Sequence, residues 1–106
     1  MDYYVNDAID VLDNVKRNPY GIKDSFHEVD RANLRDIDLN DVNSYIGQGR
    51  LVGIEKSLNE NSIFQLLYEH SETHDLAIVM NILNDEEIII ISIIWKKINK
   101  RGHYGN

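Results

Sequence analysis

Apolar residues recur at Val5, Ala8, Ile9, Leu12 and Val15, the alternating three-and-four spacing of one helix face. Asp7, Asp10 and Asp13 come early in this stretch, and Lys16 and Arg17 come late. That order complements a helix dipole, so an amphipathic helix is predicted over Asp2–Arg17. Asn18-Pro19-Tyr20-Gly21 is a turn signal. Ser25 and Glu28 then form a capping box, which predicts a second helix to Arg35. Asp38 opens a third, short one, with Val42, Tyr45 and Ile46 on one face and Gly47 and Gly49 expected to end it. After Arg50 the period shortens. Leu51–Leu58, Ser62–Glu69, Asp75–Leu83 and Glu87–Trp95 read as strands. Their breaks are Asn59-Glu60-Asn61, Ser71-Glu72-Thr73-His74 and Asn84-Asp85-Glu86.

Phe64, Leu66 and Tyr68 alternate with more polar residues, as in a half-buried strand. Ile88 to Trp95, broken only by Ser92, does not alternate. A strand of that kind is expected to be central and covered on both faces. Short links between strands imply antiparallel hairpins. The fold class expected is therefore α+β, with N-terminal helices packed on a four-stranded antiparallel sheet. The apolar stripe of the first helix must be covered by the sheet, by the second helix or by a neighbouring copy. Since the chain from Ile22 onward reads as a complete fold, the last option would make a homodimer through residues 2–17.

At 106 residues with 42% hydrophobic content, one domain with a modest core is expected. It divides into an amphipathic extension (1–18), a core (22–98) and a basic tail (99–106). Cysteine is absent, which excludes disulfides and thiolate metal sites and fits a reducing compartment. Met1-Asp2-Tyr3-Tyr4 has no basic region followed by an apolar run, so no signal peptide is expected. The Ile-rich run is far shorter than the ~20 residues of a membrane helix. No membrane partner and a cytoplasmic location follow as expectations.

The net charge of −7 opposes general nucleic-acid affinity, because phosphate must be met by Lys and Arg. The charge is uneven, however. Lys96, Lys97, Lys100 and Arg101 stand near the C-terminus with no acid among them, a candidate RNA-binding stretch on an acidic body.

The candidate chemistry centres on the second helix. His27, Arg31 and Arg35 recur every four residues. Each step of four drifts only ~40° around a helix and climbs ~6 Å, so the three form one cationic ridge. His suits proton transfer near neutrality, and the planar guanidinium suits phosphate. Glu28 and Asp38 also stand three residues from Arg31 and Arg35, at salt-bridge spacing, the pattern of a solvated face. His103 and Tyr104 would complete the site if the tail folds back. His70 and His74 flank a predicted turn and read as part of it. No metal site is expected, since two histidines without a third ligand do not define zinc. No cofactor is expected either, because there is no Gly-rich phosphate loop and no nucleophile elbow.

A helix of the form His27-x3-Arg31-x3-Arg35-x-Ile37, a short acidic helix bearing Asp41, Val42 and Ile46, a turn at Gly49, hairpin strands and a final Ile88–Ile94 strand resemble a small prokaryotic domain distantly related to the RelE- and BrnT-type ribonuclease toxins. The resemblance spans Ile22 to Ile98. It implies a compact sheet with helices on one face, metal-independent RNA cleavage, RNA as substrate and an antitoxin protein as partner. Catalytic residues vary across that group, so none carries over by position, and its members are usually basic where this chain is acidic. Two functions follow. One is a toxin-type or degenerate RNA endonuclease. The other is a non-enzymatic interaction or oligomerisation module on the same scaffold, which the acidic balance and the added helix favour.

Overall fold

The computed structural model describes residues 3–24 and 39–98. The chain runs through helix α1 (Val5–Arg17), a 3-10 turn (Pro19–Gly21), strand β1 (Ile22–Asp24), helix α2 (Leu39–Gln48) and strands β2 (Leu51–Lys56), β3 (Ile63–Glu69), β4 (His74–Asn84) and β5 (Glu87–Lys97). The strands form one sheet in the order β1-β5-β4-β3-β2. The class is α+β, as expected, but among the described residues the sheet has five strands rather than four and is mixed rather than antiparallel. β2 to β5 form antiparallel hairpins. β1 has no strand signal in the sequence, yet it pairs in parallel with β5 through Ile22–Ile88, Lys23–Ile89 and Asp24–Ile90. A strand of three residues with partial burial is too short to show a period of two. Lys23 Nζ adds an ion pair to Glu87 Oε2 at 3.1 Å.

β5 is flanked by a strand on each side, but its lack of alternation has another cause. Val79 pairs with Ser92 and Met80 with Ile90, so Ile91 is the extra residue of a β-bulge. The bulge slips the phase by one. Ile88 and Ile90 are buried before it and Ile93 after it, while Ile94 is exposed. The run is thus two alternating pieces out of register, and full cover on both faces belongs to the first half of β4, where Asp75, Leu76, Ala77 and Ile78 are all buried.

α1 begins at Val5 because Tyr4, its N-cap, is extended: the Asp7 carboxylate accepts the Tyr4 N–H at 2.8 Å, and the preceding Tyr3 N–H donates to the Asn61 carbonyl at 3.2 Å. Its stripe packs on the same core as Val42 and Ile46 of α2 and the inward residues of β2 to β5. Ala8, Val11, Leu12 and Val15 are buried, with Val5 and Ile9 at the margin. The cover that the stripe requires is therefore supplied within the chain, and α1 is part of the core rather than an addition to it. Asn14 Nδ2 ties its C-terminal end to the Asp85 carbonyl in the β4–β5 turn at 2.7 Å. Among the described residues, no helix is long and apolar enough to cross a membrane.

Candidate functional site at the hairpin end of the sheet

α2 ends where the Gly49 N–H donates to the Tyr45 carbonyl at 2.7 Å. This last turn sets Tyr45 above the end of β3. Tyr45 lies 6.4 Å from the Tyr68 ring and 6.3 Å from the His70 imidazole, centroid to centroid. His70 in turn lies 4.4 Å from the Trp95 indole, tilted by 51°. The sheet register explains the meeting. Tyr68 pairs with Leu76 and Leu76 with Trp95, so the two aromatics stand on one face, two strands apart. His70 follows Tyr68 by two residues and extends that face past the strand end.

The β3–β4 turn is held by Ser71. Its N–H donates to the His74 carbonyl at 2.9 Å, and its Oγ accepts the N–H groups of Thr73 at 3.3 Å and His74 at 3.1 Å. The Ile98 N–H donates to the Thr73 carbonyl at 3.1 Å, which fastens the end of β5 to the turn. His70, Ser71, His74 and Trp95 then line an open cleft of about 300 Å³.

Both imidazoles are fixed at the same atom. Tyr45 Oη lies 2.6 Å from His70 Nδ1, and Thr73 Oγ1 lies 2.9 Å from His74 Nδ1. Neither Nε2 makes a hydrogen bond among the described residues. Partial burial, and then the Asp41 carboxylate, raise the pKa of the Tyr45 hydroxyl, so it stays protonated through neutral pH. The Tyr68 hydroxyl is buried without a hydrogen-bond partner among the described residues, and its burial raises its pKa further. A second cleft of about 280 Å³ lies at the other end of the sheet, lined by Glu55, Lys56 and Leu58 among others. It holds no histidine, so proton chemistry near neutrality favours the hairpin end.

Of the residues singled out in the sequence, the structure splits the adjacent lysines. Lys97 is the register partner of His74, and Lys96 of Asp75, so the two point to opposite faces. Only the exposed Lys97 belongs to the cleft side. Asp75 beside Lys96 is fully buried. His27, Arg31, Arg35, Lys100, Arg101, His103 and Tyr104 lie outside the described residues. The residues that meet here, Tyr45, His70, His74 and Trp95, carry in the sequence only the marks of core, rim or turn. Among the described residues, no group of three or more histidine and carboxylate side chains is placed to hold a metal ion. Comparison of the chain with protein-family models, with curated proteins and with solved structures returned no match.

Proposed function

We propose that this chain binds single-stranded RNA at the hairpin end of its sheet and cleaves it without a metal, as its resemblance to the RelE/BrnT-type group implies. One observation carries the reading: two histidines share an open cleft with a tryptophan, each held at Nδ1 by a hydroxyl. Cleavage of RNA through its own 2′-hydroxyl needs a proton carrier and a donor facing the phosphate, and two imidazoles can supply both. Trp95 offers an aromatic face on which an unpaired base can stack. Lys97, across the ladder from His74, offers a phosphate contact. Because the body is acidic, affinity rests on stacking and few charges, so RNA binding is expected to be weak.

The test is incubation of the purified full chain with end-labelled, mixed-sequence single-stranded RNA in EDTA. Cleavage leaving 2′,3′-cyclic phosphate ends is expected. It should fall by about 100-fold or more in His74→Ala, and its salt dependence should flatten in Lys97→Ala. No cleavage by the wild type, or cleavage unchanged in a His70→Ala/His74→Ala double variant, overturns the proposal.

A second reading, the interaction module, is favoured by the sheet face opposite the helices. Leu83 and Ile94 there are 43% and 42% exposed, and Ile89 lies half-buried between them. Light scattering across a concentration series tests it: a monomer at all concentrations removes self-association by this face.

A further inference from the structure

Resting on the ribonuclease reading, we propose that Tyr45 is a positioning residue that divides the labour of the two histidines: it holds neutral His70 with its proton on Nε2, so that His70 donates a hydrogen bond to the phosphate while His74 alone moves the proton. The argument begins with the two hydroxyls that face the rings. A phenol O–H is a far stronger acid than the N–H of a neutral imidazole. In a contact of 2.6 Å between Tyr45 Oη and His70 Nδ1, the phenol is therefore the donor and Nδ1 the acceptor. Burial and Asp41 keep that phenol protonated. A neutral imidazole carries one N–H, so with Nδ1 accepting, the proton of His70 resides on Nε2. To act as a base through Nε2, His70 would have to move that proton to Nδ1 and turn Tyr45 from donor to acceptor.

His74 is under no such constraint. Ser71 Oγ accepts two backbone N–H groups, which leaves its own O–H for Thr73 Oγ1 at 3.3 Å. Thr73 Oγ1 then has a lone pair left for an Nδ1–H of His74 and a hydroxyl proton to give when Nδ1 is bare. With Nδ1 protonated, His74 presents a lone pair at Nε2, the form a base needs. In the reaction, His74 Nε2 takes the proton of the 2′-hydroxyl and the 2′-oxygen bonds to phosphorus. The bond from phosphorus to the 5′-oxygen breaks, and the proton passes from His74 to that departing oxygen. His70 Nε2–H and Lys97 meet the charge on the phosphate throughout.

The experiment is two-bond nitrogen–proton correlation spectroscopy of the imidazoles in the full chain, above the pH at which the histidines are neutral, with His70→Gln and His74→Gln assigning the signals. His70 is expected as a single Nε2–H tautomer with Nδ1 in the accepting form, and Tyr45→Phe should replace it with a mixture. An Nδ1–H tautomer at His70 in the wild type overturns the proposal, whether or not Tyr45→Phe folds. The RNA assay supplies the second arm. Glutamine keeps an N–H donor and cannot carry a proton, so His70→Gln should retain at least about a tenth of the wild-type kcat, whereas His74→Gln should lose about 100-fold or more. Equal losses in both variants overturn the division of roles while leaving RNA cleavage intact. The expected tautomer together with no cleavage by the wild type overturns the function and leaves the tautomer in place.

Discussion

The same substitution, glycine to alanine, should move stability in opposite directions at two positions. Gly21 closes the 3-10 turn that delivers β1 to the edge of β5. A Cβ on Gly21 would press into the Glu86 carbonyl oxygen and stand 3.3 Å from Val15 Cγ1. The first approach is roughly 1 Å or more inside ordinary contact, and the obstacle is backbone rather than the end of a flexible side chain. That backbone cannot retreat freely, since the neighbouring Asp85 carbonyl is held by Asn14 of α1 at 2.7 Å. Overpacking a core typically costs about 1–3 kcal/mol, and the rigid partner places Gly21→Ala at the upper end, about 3 kcal/mol. Gly47 is exposed within α2, and a Cβ added there would have nothing within 4 Å. Alanine at that position removes only the entropic cost of glycine in a helix, a gain of about 0.5–1 kcal/mol. In a domain of this size each kcal/mol moves Tm by about 4–8 °C. Gly21→Ala should therefore lower Tm by roughly 12–24 °C, and Gly47→Ala should raise it by a few degrees. Urea melts followed by far-UV circular dichroism, with equal slopes, give both stability changes, and thermal melts give the shifts in Tm. A Gly21→Ala protein within about 0.5 kcal/mol of wild type would refute the close packing of turn against hairpin tip. Hydrogen exchange at β5 amides would reveal the one cheap escape, in which β1 leaves the sheet and α1 stays.

The bulge predicts that neighbouring isoleucines differ: Ile90→Asp, at a fully buried site, should abolish cooperative folding, because an unpaired buried carboxylate costs several kcal/mol, whereas Ile91→Asp, half-buried at the extra residue of the bulge, should cost about 1 kcal/mol by urea titration. A chain beginning at Pro19 loses the four buried residues of α1 and should show no cooperative thermal transition; a well-folded truncation would show that the helix is dispensable. Glu87 is held below the ordinary carboxylate range by the hydrogen bond from Asn84 and then by Lys23. With its folded pKa below its unfolded one, its contribution is complete above the unfolded value near 4.3 and is lost as pH falls through the folded value. Urea midpoints of wild type should accordingly fall more between pH 6 and pH 3 than those of Glu87→Gln, and parallel profiles would remove the ion pair from the account of stability.

How much of the fold is legible depends on how many residues each signal uses. α1 spans thirteen residues, enough for a helical stripe to repeat, and the stripe expected from the sequence differs from the buried one mainly by Val11. The three hairpins are legible because their breaks carry Asn, Asp, Ser and Glu, which lack partners inside a sheet. β1 is not legible, since its three residues hold one apolar side chain and its partner stands far along the chain. In β5 the run suggests a strand covered on both sides, because a sequence shows lost alternation in the same way whether both faces are buried or a bulge has shifted the phase. Only the pairing of Val79 with Ser92 and of Met80 with Ile90 separates the two.

The candidate site is hidden by the same geometry that builds it. Lys96 and Lys97 look like one basic patch when counted along the chain, yet a strand sends neighbours to opposite faces, and β4 opposes them with different residues, His74 for Lys97 and buried Asp75 for Lys96. His70 and His74 look like solvated turn residues because the turn between them is polar. What brings partners to them is not local. The Tyr45 hydroxyl reaches His70 across 25 positions of sequence, and Trp95 reaches it from β5, two ladders away. A signal is nonetheless present in the letters. The chain has a single tryptophan, and placing it in the last strand of a meander fixes its register against the hairpin that ends at His70 and His74. Once the strands are paired by their turns, the side chains that an antiparallel ladder brings together follow from counting in twos. A chain of this kind therefore discloses a candidate site from the register outward, and a spacing of four such as that of His27, Arg31 and Arg35 stands out first only because it can be read from consecutive letters.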